Sequence, residues 1–139
     1  MLRLFQLRFL PTSVDLALLV LRLWLGLSLV SLHGWGKLTT YSARAHQFAD
    51  PYGLGSPVSL ALAIFAEVVC SLLVALGLCT RFGALVCGFN MATAFVTAHG
   101  ARLTGQGNGE LAFMYLGGFV ALLLAGGGRY SLDAKMGGR

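Results

Sequence analysis

Charge is what this chain has least of. Only 11% of its 139 residues are charged, five of them acidic, against about 25% charged residues in an average soluble domain. So few cannot cover a water-facing surface, which excludes an ordinary soluble globular domain. Paired cysteines are also missing: Cys70, Cys79 and Cys87 form no CxxC. Two of the three lie in apolar runs, where cysteine is a small apolar packer. No cluster of basic residues accompanies the net charge of +5. Lys and Arg are dispersed one or two at a time at the ends of apolar runs, which excludes a nucleic-acid footprint and fits membrane topology. Gly105-x-Gly107-x-Gly109 is not GxGxxG, and no strand precedes it, so a dinucleotide site is excluded as well. There is no internal repeat.

What is present is apolar sequence in long runs, 57% hydrophobic overall. The pattern predicts four helices, over about 15–35, 57–78, 82–98 and 111–126. At about 1.5 Å per residue each can cross a hydrocarbon core near 30 Å thick, the last two only just. The expected fold is an all-α integral membrane four-helix bundle in one domain, with antiparallel neighbours. Arg3 and Arg8 before the first run resemble the start of a signal peptide. The run exceeds the roughly 7–15 residues of a signal core, so it reads as a retained helix. Residues 36–56, with Tyr41, Phe48 and Tyr52, read as an interfacial cap. A tight turn surrounds Thr80 and Arg81, and a glycine-rich loop covers 100–109. Six basic residues (Arg3, Arg8, Arg81, Arg129, Lys135, Arg139) fall on one side of the membrane and three (Lys37, Arg44, Arg102) on the other. Both termini are therefore expected in the cytoplasm.

Two charges lie inside apolar runs, Arg22 and Glu67. A charge at membrane depth costs roughly 3 kcal/mol on insertion scales and marks a pairing or a site. On a 100° wheel Arg22, Gly26, Leu29, His33 and Lys37 form one stripe. Small residues surround Glu67 on its face. An Arg22–Glu67 pair inside the bundle is expected, either fixing helix register or serving binding and proton transfer. A second polar group, His33, Lys37, His99 and Glu110, is expected near the outer interface, with His33, His99 and Glu110 lining a cavity under the cap. Histidine there can pass protons or meet a quinone carbonyl. The spacing is not a metal motif, so no metal is expected. Asn90, Thr93 and Thr97 share a face of the third helix, and on a regular wheel His99 falls roughly opposite. His99 joins the cluster only if it lies past the helix end.

Several strings together carry a resemblance: His33-Gly34-x-Gly36-Lys37-Leu38, Ala66-Glu67, Gly77-Leu78-x-Thr80-Arg81, His99, Gly109-Glu110-Leu111, and Gly126-x-Gly128-Arg129-Tyr130-Ser131-Leu132-Asp133. From about Leu16 to Asp133 the chain resembles the DoxX family of small bacterial and archaeal membrane proteins. The resemblance implies four membrane helices and a link to redox biology. Its named members are similar to a subunit of thiosulfate:quinone oxidoreductase, to components of membrane oxidoreductase complexes, and to proteins of oxidant or catechol resistance. Fold follows from such a likeness far better than reaction.

Three readings of function stand on this sequence. In one, a redox-linked protein of the bacterial inner membrane binds a quinone or small aromatic between its helices. It has no cofactor of its own and relies on a partner oxidoreductase for the redox centre. In another, an accessory subunit without chemistry packs against a larger membrane complex or a second copy, its glycines favouring helix contact. A small transporter or proton relay is the third, though four helices leave little room for alternating access.

Overall fold

The computed structural model describes residues 12–137 together with Phe5 and Leu7. Arg3, Arg8 and Arg139, which count toward the expected orientation, lie outside the described residues. Among the described residues the chain is helical and has no strand. The elements are α1 (Val14–Thr39), α2 (Tyr41–Arg44), α3 (Ser56–Leu76), α4 (Thr80–Ala98), α5 (Glu110–Ala125) and α6 (Leu132–Lys135). Of these, α1, α3 and α4 are long and apolar enough to cross a membrane. The 16-residue α5 is equally apolar but spans only about 24 Å at 1.5 Å per residue. α1 runs on to Thr39 instead of stopping near residue 35, so the cap begins a turn later than the sequence suggests.

Local chemistry sets the ends. The Ser13 hydroxyl accepts the Leu16 N–H and opens α1. Gly77 closes α3 at φ 74°, a left-handed cap that a side chain disfavours. Gly126 closes α5 at φ 77°, so the Gly126-Gly127-Gly128 string is a helix stop.

Between helices in lipid, packing rather than water release drives association, so small residues matter. A Cβ on Gly26 would stand 2.5 Å from the Ser71 carbonyl oxygen, and one on Gly34 2.8 Å from that of Glu67. These two glycines let the backbone of α1 lie directly on α3. Leu29, Cys70, Val74, Cys87, Phe119 and Leu122 are fully buried where α1, α3, α4 and α5 meet. Cys87 donates to the Ala66 carbonyl at 3.2 Å, so both buried cysteines are packers. Trp24 and Trp35 point outward, as do Leu27, Leu62, Phe89 and Leu124. That apolar exterior is a surface for lipid.

Three helices depart from α geometry at similar places. Val30–Gly34 of α1, Phe65–Cys70 of α3 and Ala94–Ala98 of α4 are π-helical. A π turn widens the helix and recurs at functional sites. Beyond these segments Trp35–Thr39 of α1 stays packed against Ser56–Ile64 of α3. Ser56–Ile64 of α3 makes little contact with α4, and the segment from Ala45 to Gly55 covers the gap.

Candidate functional site

The gap is a cavity of about 690 Å³. Its wall is mostly apolar, supplied by α1, α3, α4, α5 and the cap. Polar groups are concentrated at its floor, where Glu67 sits in the π turn of α3 with its side chain 5% exposed. Lys37 of α1 donates to both carboxylate oxygens, at 2.6 Å and 2.5 Å. Asn90 of α4 donates its Nδ2–H to Oε1 at 3.1 Å. Three helices thus converge on one buried carboxylate. The Lys37 side chain is 22% exposed and lines the chamber.

The histidines occupy different walls. His33 lies in the π turn of α1, edge-on to Tyr115 at 6.0 Å between ring centroids. Its ring nitrogens have no protein partner among the described residues. Tyr115 donates to Ser28 at 2.7 Å, which fixes the ring that His33 meets. His99 follows the end of α4, and its Nδ1 lies 2.9 Å from the Gly107 carbonyl. A carbonyl only accepts, so Nδ1 carries the proton and neutral His99 keeps Nε2 as an acceptor. Both histidines line the cavity.

The cap is held at three points, one of them the Tyr41 hydroxyl, which donates to the Pro57 carbonyl at 3.1 Å. The Asp50 carboxylate accepts the Leu54 and Gly55 N–H groups and the Ser59 hydroxyl, at 3.0, 2.8 and 2.8 Å. The Ser59 hydroxyl, with the Gly55 and Leu54 N–H groups, holds this carboxyl below the ordinary range. Tyr52 bonds Thr93 at 2.8 Å and stacks on Phe89 at 6.0 Å. It is the bridge from the cap to α4. Below that bridge Leu62, Phe65 and Val86 line the cavity, and Leu62 and Phe65 are exposed on the apolar exterior. The chamber therefore has a side facing the lipid level.

The expected Arg22–Glu67 pair does not form. Arg22 is fully buried at the other end of the helices, where it donates to the carbonyls of Ala75 at 3.0 Å, Val74 at 3.4 Å and Tyr130 at 3.2 Å. Its Nε has no partner. The carbonyls of the last turn of α3 are the natural seat for a cation, although that of Val74 also accepts the Gly77 N–H at 3.0 Å. Glu67 lies about 12 Å further along that helix, by axial rise, and level with Lys37 instead. Beside Arg22, Asp133 accepts the N–H groups of Cys79 and Thr80 at 2.6 and 2.8 Å and the Thr80 hydroxyl at 2.7 Å. Burial would raise its pKa, but these bonds and the Arg22 charge outweigh it and hold the carboxyl below its ordinary 3.8. The Arg129–Asp133 string is thus the strap that caps α3 and α4.

Glu110 does not line the cavity expected for it with His33 and His99. It is exposed at the first turn of α5, because a carboxylate is favoured at a solvated helix N-terminus. Its N–H bonds Asn108. Of the six residues singled out in the sequence, the structure brings together Glu67, Lys37, His33 and His99, places Arg22 at the opposite end and leaves Glu110 outside. Asn90, Tyr115 and Tyr52 join the site without having been singled out as its members, and Asp50 anchors the cap over it. A lone Asn in the apolar third run was the signal for one of them.

No group of three His, Cys, Asp or Glu among the described residues stands where it could hold a metal ion. The family model of DoxX matches residues 17–100, more than half of the chain and the part that carries Lys37, Glu67, Asn90 and both histidines. Neither the curated proteins nor the solved structures contain a match to this chain.

Proposed function

Because the chain belongs to the DoxX family, we propose that it binds a quinone or another small aromatic in this chamber and works with a membrane oxidoreductase. The observation that carries the reading is the joining of a lipid-level opening to a polar floor. A lipid-soluble ring can enter past Leu62 and Phe65 and meet Lys37, Asn90 and His33 as donors at its carbonyl oxygens. Glu67 and the two histidines can exchange protons with a reduced ring. The chamber's own groups bind and handle protons. Electrons come from the partner that carries the redox centre.

The same reading takes the four long helices as an antiparallel membrane bundle in the bacterial inner membrane, with both termini cytoplasmic. Its support is the six-to-three basic count of the sequence; among the described residues the two ends are even, with Arg81, Arg129 and Lys135 at the strap end and Lys37, Arg44 and Arg102 at the chamber end. The test is extraction. Protein purified in mild detergent should carry about one small aromatic per chain, reduced in His33→Ala and His99→Ala. Protein that carries no such ligand but retains a stoichiometric large partner is an accessory subunit instead.

A further inference from the structure

At the end opposite the chamber a second cavity, of about 500 Å³, lies between the start of α4 and the end of α5. Arg81 and Arg129 line it, together with the Gly126–Gly128 turn and Phe82. Neither guanidinium is in an ion pair among the described residues. Each is nevertheless held. Arg81 donates its Nε–H to the Leu123 carbonyl at 2.8 Å, which leaves its two terminal nitrogens to the cavity. Arg129 is fixed through its backbone, whose N–H bonds Asp15 at 2.9 Å, and its guanidinium stacks on Tyr130 at 5.4 Å. Stacking occupies the face of the fork and leaves its N–H edge open. Asp133 also lines the cavity, but its oxygens are already engaged by Cys79 and Thr80. The site keeps a positive excess.

Two held, unpaired guanidinium forks suit a phosphate group. The position says which phosphate. Phe82 of α4 lines the cavity and is exposed, and Leu85, three residues on in α4, and Leu124, next in sequence to the cavity residue Ala125, are exposed on the apolar exterior. A phosphate held there has lipid-facing side chains under it, the geometry of a membrane phospholipid. Basic pockets at helix ends take anionic headgroups in this way. We propose that this cavity is a headgroup site for an anionic phospholipid, with Arg81 and Arg129 on the phosphate and the acyl chains along Phe82 and Leu124. This rests on the two guanidinium groups and the exposed apolar helices, not on the ligand of the chamber.

Native mass spectrometry of the detergent-purified full chain tests it, with phosphatidylglycerol and phosphatidylcholine of identical tails added in turn. Wild type should hold phosphatidylglycerol in preference. Arg129→Gln should lower that preference roughly fivefold, and adding Arg81→Gln about as much again, at roughly fivefold per basic group near a membrane surface. Inorganic phosphate at millimolar concentration should not displace the lipid. Displacement would overturn the lipid assignment and make the cavity a site for soluble phosphate. An unchanged preference in a variant of native helix content overturns the site altogether. So does a wild type that shows no preference, whatever the variants do.

Discussion

Lys37 closes on Glu67 with both carboxylate oxygens within 2.6 Å, joining α1 to α3 at the floor of the chamber. Asn90 adds the third helix at 3.1 Å. Removing one partner of a buried pair strands the other, at a cost of roughly 3–5 kcal/mol. Lys37 is partly exposed, so Lys37→Met should cost less, about 1–3 kcal/mol. Glu67→Gln in the same protein should then recover part of the loss. Thermal unfolding in detergent checks this as a double-mutant cycle, and simple additivity would mean that the two residues do not act as a pair.

Arg22 should be independent of Glu67. Arg22→Met leaves the carbonyls of Ala75 and Tyr130 without the Arg22 donor, while that of Val74 keeps the Gly77 N–H, and should destabilise by about 3 kcal/mol. Combining it with Glu67→Gln should give the sum of the two effects. Recovery in that double variant would restore the pairing that the structure replaces.

Acid should loosen both ends of the molecule. The Asp133 and Asp50 carboxyls are held below their ordinary 3.8 in the folded protein. The folded state therefore binds these protons less readily than the unfolded state. The stabilisation is full above the ordinary value and disappears as pH falls through it to the depressed values. Melting temperature measured from pH 6 down to pH 3 should fall, and Asp133→Asn should fall less steeply than wild type while starting lower. A parallel pair of curves would show that Asp133 contributes nothing to the acid response.

Tyr52 ties the cap to α4 through Thr93 and Phe89. Tyr52→Ala should leave helix content unchanged and increase cleavage by protease within residues 45–55. Equal cleavage in wild type and variant would show that Asp50 and Tyr41 hold the cap without Tyr52.

The helices were legible in the sequence because long apolar runs and glycine stops are local signals. Glu67 and its small-residue face were legible for the same reason. The partner of Glu67 was not. Arg22 and Lys37 share one stripe of α1, and only the axial position of α3 decides between them. That position comes from Gly26 and Gly34 seated on α3, a matter of tertiary packing. The place of His99 was hidden by the π turn at Ala94–Ala98, which no residue type announces and which ends the regular wheel before His99. Glu110 shared a depth with the chamber in the linear reading, but depth says nothing about which way the first turn of α5 faces.

On the proposed function, the chamber takes a lipid-soluble aromatic ring onto the Lys37–Glu67–Asn90 floor. Equilibrium binding of a short-tailed quinone to the purified protein, corrected for partition into empty detergent micelles, tests it most directly. Saturable binding of one molecule per chain is the expected result, weakened a few-fold to about tenfold by His99→Ala, the value of one neutral hydrogen bond, and weakened further by Asn90→Leu. Uptake equal to that of empty micelles, or binding indifferent to both substitutions, would contradict it.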